Sequence, residues 1–352
     1  MKNSIRTIIF MCMIHTLCTA QTTAQKIDAI VKKYRTEHPK VGISVGFIHQ
    51  NQEFYTAYGH LSRAGEVAIN KNSVFELGSI TKIITANLIA QAALERKFKL
   101  NDVIDSYLPN EFVLHPKLRN TIKISDLASH QSGLPDIDFG KLIADNPQQP
   151  TSVVTKETLT MLVNNATELT DYGTYRYSTL GYTLLGQILE EVYGKTYDEL
   201  LHEKILTPLQ LSDTFTKTFS VPHKTTAYNP EGGEQDFFIW NIVAPAGLIK
   251  SNASDMVVYL KAILNEGNAI YDASVLSEHM VYSKAGRELG LGLGILKDEG
   301  NVLYLKSGDT MGQSSVLCYD RTKNWGIIIL LNERNSRLRQ ELLNEIYETV
   351  LR

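Results

Sequence analysis

Long apolar runs are absent from this 352-residue chain: beyond its first twenty residues no stretch of about 18 apolar residues occurs, so nothing there reads as a transmembrane helix. Charge of one sign is absent too. The 35 Lys and Arg stand against 38 Asp and Glu, a net charge of −3, which leaves no basic surplus for a phosphate backbone and argues against a nucleic-acid partner. Cysteine is scarce at three, and Cys12 and Cys18 lie near the N-terminus. The nine His residues form no H-E-x-x-H and no close pair at ligand spacing, so no metal is expected. Gly194-Lys195-Thr196 imitates the end of a phosphate loop, but Leu189 stands where the first Gly belongs. Gly290 to Gly294 is glycine-rich yet leads into a strand, not into the helix N-terminus that holds a dinucleotide. No organic cofactor is expected. No G-x-S-x-G occurs, which argues against the α/β-hydrolase design.

What is present is globular: 43% hydrophobic and 21% charged residues, enough for one large α/β unit or two sub-domains. Residues 1–20 read as a secretory leader. Lys2 and Arg6 give a positive start, Ile8 to Leu17 is mostly apolar, and Cys18-Thr19-Ala20 offers small residues before Gln21. Its removal takes two positive charges and leaves a mature net charge of about −5. Cys318 would then be the one remaining thiol, without a disulfide partner in a compartment that permits disulfides. In the run Val316-Leu317-Cys318-Tyr319 it is expected to be buried and structural. The mature protein is expected to be periplasmic or secreted, with no membrane span, and monomeric.

Val41–Ile48 and Glu53–Gly59 read as a hairpin about His49-Gln50-Asn51-Gln52. Helices are predicted over Ser79–Lys97, with Ile80, Ile84, Leu88 and Ala92 at four-residue spacing, over Leu180–Val192 and over Ser254–Leu264. Strands follow at Gly290–Lys297, Val302–Leu305, Ser314–Tyr319 and Trp325–Asn332, and Asn332–Arg352 reads as a closing amphipathic helix. The order predicts an α+β fold, a sheet unit built from both chain ends with a helical region inserted between them.

Ser79-Ile80-Thr81-Lys82 places a Ser and a Lys three apart on one helical face, within reach of each other. A serine hydroxyl attacks a carbonyl only if a neighbour takes its proton, and a desolvated lysine can do so. Alone, the tetrapeptide reads more readily as an N-cap serine and a solvated first-turn lysine than as a catalytic pair. Two further motifs change that: Tyr177-Ser178-Thr179 before the second helix, and Lys306-Ser307-Gly308 on a late strand.

In this order the three motifs resemble the penicillin-recognising serine hydrolases, most of all the class C β-lactamases and their D-alanyl-D-alanine carboxypeptidase relatives. Phe75 to Ser79 is similar to that family's approach to its nucleophile, Asp126 to Pro135 to its L-L-x-H-x-S-G-L-P segment, and Tyr177 to Glu190 to its Y-S-N-x-G-Y stretch. Ala246-Gly247-Leu248 with Ser254-Asp255-Met256, and Gly308 to Gly312, resemble two more of its segments, so the likeness spans roughly residues 40 to 332. It implies a β-lactamase/transpeptidase-like fold: an antiparallel sheet flanked by helices (residues 21–78 and 222–352) plus a helix-rich inserted domain (79–221) carrying the nucleophile helix.

The resemblance further implies that Ser79 carries the acyl group. Lys82 and Tyr177 would manage its proton, either being the base, with Lys306 adding positive charge near Tyr177 and the substrate carboxylate. The backbone N–H groups of Ser79 and Asp309 would form an oxyanion hole. Ser307, Gly308, Asp309 and Thr179 would complete the substrate site, for a small β-lactam or cell-wall peptide. The expected activity is opening of β-lactam rings; the alternatives are a carboxypeptidase or a small-ester hydrolase. Three positions depart from the family: Thr179 for its usual Asn, Asp309 for a small residue, and Gln313 for a frequent aromatic. Asn offers an amide with two donors, Thr one hydroxyl, so Thr179 points to altered recognition of acylamino side chains.

Overall fold

The computed structural model describes residues 23–217 and 222–352; the expected leader, and the segment 218–221 at the expected domain boundary, lie outside the described residues. A helix over residues 23–37 (α1) precedes β1 (Ile43–His49) and β2 (Gln52–Tyr58). Their tight turn holds Gln50 and Asn51 at positive φ, 47° and 68°, the conformation that matches the twist of a hairpin. The middle of the chain supplies α2 (Thr81–Leu94), α3 (Phe139–Asp145), α4 (Thr179–Tyr193), the short α5 (Ala244–Gly247) and α6 (Ala253–Leu264). Then come β3 (Tyr282–Lys284), β4 (Arg287–Leu289), β5 (Gly294–Asp298), β6 (Asn301–Asp309), β7 (Ser314–Asp320) and β8 (Trp325–Leu331), and finally α7 (Ser336–Ile346).

The strands form one eight-stranded sheet in the order β2-β1-β8-β7-β6-β5-β4-β3, each neighbouring pair antiparallel. The first and last strands pair near one edge of the sheet, second and third in the order, from Ile43 opposite Leu331 to His49 opposite Trp325. Every residue of β7 and β8 is buried, because helices cover both faces. Strand alternation divides the core accordingly. Val316, Cys318, Ile327 and Ile329 join a cluster with α1 and α7, whereas Leu317, Tyr319, Ile328 and Leu330 pack with α2, α4 and α6. The expected α+β architecture, a helix-flanked antiparallel sheet, is therefore the one observed.

Helix α2 is buried on all sides from Thr81 to Ala92, as a helix in the middle of a large core must be. This carries Lys82 into the interior. The strand expected from Gly290 starts only at Gly294. Gly292 has φ 75° and runs so close to α2 that a Cβ there would lie 2.6 Å from the Lys82 carbonyl oxygen, so these glycines serve a close approach. The closing helix starts at Ser336, later than Asn332. Asn332 is held at the sheet by its Oδ1 accepting from the Gly42 N–H at 2.7 Å, and Asn335 caps α7 by accepting from the Leu338 N–H at 3.0 Å. The short β3–β4 hairpin has no counterpart in the sequence reading.

Candidate active site

Ser79 lies in the 3₁₀ turn Gly78–Ile80 that leads into α2. One turn on, Lys82 is 1% exposed; its Nζ donates to the Ala246 carbonyl at 2.6 Å and stands 3.4 Å from Ser79 Oγ. Burial disfavours the ammonium and pulls the Lys82 pKa down to about 7, against the opposing pull of the Asp136 carboxylate. A large fraction of Lys82 is thus a neutral amine near pH 7, able to accept a proton.

Tyr177 enters from the loop before α4, its phenol oxygen 2.5 Å from Ser79 Oγ. The ring is held between two lysines, Lys82 Nζ at 4.8 Å and Lys306 Nζ at 4.9 Å from its centroid, and leans on the His130 ring at 4.5 Å. Burial lowers the Lys306 pKa to about 8; the charges of Lys82 and Arg287 push the same way, while Tyr177 opposes them. His130 is buried beside the same lysines and held well below the usual histidine range, burial being the larger cause. Its Nδ1 accepts the Ser178 N–H at 3.1 Å, which fixes the start of α4 behind Tyr177.

Strand β6 brings the third wall. Its pairing with β5 ends at Leu305, so from Lys306 onward this edge of β6 is free of β5. It packs tightly on the nucleophile turn: a Cβ on Gly308 would lie 2.1 Å from the Leu77 carbonyl oxygen and 2.9 Å from Ser79 N. One on Gly78 would lie 2.9 Å from Asp309 N. The amides of Ser79 and Asp309 are thereby brought side by side, as an oxyanion hole requires.

Ser79, Lys82, Tyr177, Thr179, Lys306, Ser307 and Asp309 line one cleft of about 500 Å³, while Gly308 lies behind it. Phe139 and Ile143 of α3, Phe238 and Met311 supply an apolar side, and Arg334 a cation. The Asp309 carboxylate turns away from Ser79: Oδ1 accepts from Ser314 Oγ at 2.5 Å, Arg339 Nη1 at 2.8 Å and Ser336 Oγ at 3.0 Å. Gln313 is buried, accepting the Glu76 N–H at 2.6 Å and donating to Thr225 Oγ1 at 2.8 Å, a pair of bonds that an aromatic could not make. Among the described residues no group of three His, Cys, Asp or Glu could hold a metal ion.

Asp136 went unnoticed in the sequence. It accepts the N–H groups of Thr179 at 3.0 Å and Leu180 at 2.7 Å, fixing the first turn of α4, and its charge acts on Lys82. Arg287, 4.0 Å above the ring of Tyr175, and Arg339 were missed as well. The one local signal was the place of Asp136 directly after Ser132-Gly133-Leu134-Pro135.

A serine beside a buried amine and a phenol, on a helix-flanked antiparallel sheet, defines a serine hydrolase of the β-lactamase/transpeptidase fold. The family model described as Beta-lactamase matches residues 27–350, and the chain belongs to that family. Its fold is that of the class C β-lactamases. One solved class C β-lactamase superposes with a TM-score of 0.79 at 19% identity, covering 94% of this chain and 97% of that one. The enzyme of that class from Rhodobacter sphaeroides gives 0.78 at 19%, covering 93% and 99%. Among curated relatives, Protein flp of Staphylococcus aureus (strain MW2) is 23% identical over 88% of this chain and 63% of its own length. Penicillin-binding protein 4 of Amycolatopsis lactamdurans is 25% identical over 72% and 66%, and the Beta-lactamase of Providencia stuartii 25% over 68% and 59%. The chain thus spans about two thirds or less of these relatives' lengths.

Proposed function

We propose that the protein is an exported β-lactam hydrolase of class C type, working through an acyl-enzyme on Ser79. The observation that carries this reading is Ser79 Oγ at 2.5 Å from the Tyr177 phenol, with Lys82 and Lys306 astride the phenol ring. Ser79 Oγ attacks the lactam carbonyl; its proton passes to the phenol oxygen as the phenol proton passes to neutral Lys82. The oxyanion is held by the N–H groups of Ser79 and Asp309. As the C–N bond breaks, the ring nitrogen takes the proton back through the same relay, and the amine is again free to activate the water that cleaves the ester. Lys306 and Thr179 face the rest of the substrate, Lys306 pairing with its carboxylate, and Ser307 borders the cleft along the strand. The cleft lies between a sheet unit proposed for residues 21–78 and 222–352 and a helix-rich unit proposed for 79–221. With the leader removed, the protein is released as a periplasmic or secreted monomer.

Thr179 favours a second reading. It lines the cleft with one hydroxyl in place of the family's amide, so grip on an acylamino side chain is weaker and cell-wall peptides or simple esters come into range as substrates. An intact-mass time course of residues 21–352 with benzylpenicillin, and separately a cephalosporin, decides between them, with Ser79→Ala as control. The expected result is an adduct that clears while the drug is hydrolysed. A persistent adduct points to a carboxypeptidase or a penicillin-binding sensor instead. No adduct while esters are still cleaved sinks the lactam reading.

A further inference from the structure

Asp309 has the wrong charge for its place. On the acyl-transfer reading, on which this inference rests, its backbone N–H meets a developing oxyanion, and a bare carboxylate on the same residue would oppose that charge. The structure shows how the opposition is removed. In the register of β6 with β7, Lys306 and Gly308 stand opposite Leu317 and Ser315, and Ser307 and Asp309 opposite Val316 and Ser314. Val316 belongs to the cluster formed with α1 and α7, so strand alternation sends the Asp309 side chain to the α7 face, away from the nucleophile helix.

There it meets Arg339, a residue of α7 only 6% exposed. One nitrogen of that guanidinium, Nη1, makes two bonds: 2.8 Å to Asp309 Oδ1 and 3.1 Å to the Gly308 carbonyl oxygen. The carbonyl also accepts from Ser315 Oγ at 3.3 Å. In a trans peptide the C=O and the following N–H point in opposite directions. A Gly308 carbonyl drawn towards Arg339 therefore turns the Asp309 N–H the other way, to the side where Gly78 and Ser79 pack. The cation cancels the carboxylate and fixes the peptide that carries the donor.

We propose that Arg339 is a positioning residue for acyl transfer: by pairing with Asp309 and holding the Gly308 carbonyl, it lets an aspartate occupy an oxyanion-forming position. Acylation rates of Ser79 by benzylpenicillin and by a fluorophosphonate (fluoride leaving) test this in the wild type, R339M, R339K, D309S and D309S/R339M. Each protein is also melted thermally. R339M is expected to acylate about 10²-fold more slowly, comparable to loss of one oxyanion donor. D309S/R339M is expected to regain about ten-fold of that, the coupling typical of contacting charges, with D309S closing the cycle. R339K, which keeps the charge, falls between R339M and wild type. A merely structural Arg339 predicts the reverse, the double variant being no faster than R339M. That result, or an R339M rate equal to wild type, overturns the inference while leaving the proposed function standing. A wild type that no probe acylates overturns both.

Discussion

At the scale of single residues, the site is a problem in burying two amines, one to be neutral and one to stay charged. Lys82 is lowered to about 7 and Lys306 to about 8 by burial, and they flank one phenol ring. On the proposed function, the acylation rate should rise with pH as Lys82 loses its proton near 7 and fall as Lys306 loses the charge proposed to pair with the substrate. The result is a bell with limbs near 7 and 8, whose apparent values belong to the group jointly. A pH series of single-turnover acylation checks this, and a flat profile from pH 6 to 9 would refute it. The same depressions act on stability. The unfolded chain binds protons on these lysines up to about 10.4 where the native chain does not, so their contribution makes stability rise with pH from about 7 to about 10.4.

Ser79 and Lys82 were legible because their chemistry is local, two side chains three residues apart on one helix. Tyr177 was legible only through the order of motifs, one tyrosine among 17. Asp136 was not, because it meets Thr179 across 43 residues of sequence. Nor was the orientation of the Asp309 side chain, which depends on strand register and on an arginine 30 residues away.

At the scale of elements, α4 is a mount for Tyr177. Ser178 caps it by accepting the Gly181 N–H at 2.9 Å, and Asp136 takes the two amides before that, of Thr179 and Leu180, from outside the helix. Asp136→Ala frees those amides and removes a negative charge acting on Lys82. The expected cost is about 1–2 kcal/mol, as for loss of a capping side chain. The rising limb of the acylation profile should also move to lower pH, since Asp136 holds the Lys82 pKa up. Calorimetry and the pH series read the two effects separately; a limb moving to higher pH would contradict this electrostatic account. The long helices and central strands were legible from periodicity. The β3–β4 hairpin was not, because strands of three residues leave too short a pattern to read.

Over the whole molecule, the sheet is closed by β1 against β8 and sealed on one face by α1 and α7. Cys318 sits inside that seal, 2% exposed, with its thiol pushed up to about 12 mainly by burial. It should resist a maleimide in the native state and react only when the sheet opens, so that protection and the tertiary circular-dichroism signal disappear together in urea. Labelling of the native protein at the unfolded rate would show that the seal is not tight. The sandwich of helices about a sheet made from both chain ends was legible in the sequence, since the runs at Val41 and Trp325 are both short and apolar.

The meeting of β1 with β8 also sets a timetable. Synthesis proceeds from the N-terminus, so the turn bearing Ser79 is made early, yet the strand that packs against it arrives with Gly308 and the sheet cannot close before Leu331. A growing or truncated chain therefore holds a serine with no finished site around it. On the proposed acyl-transfer reading, the serine therefore gains its oxyanion donor and its third wall only when the polypeptide is all but complete.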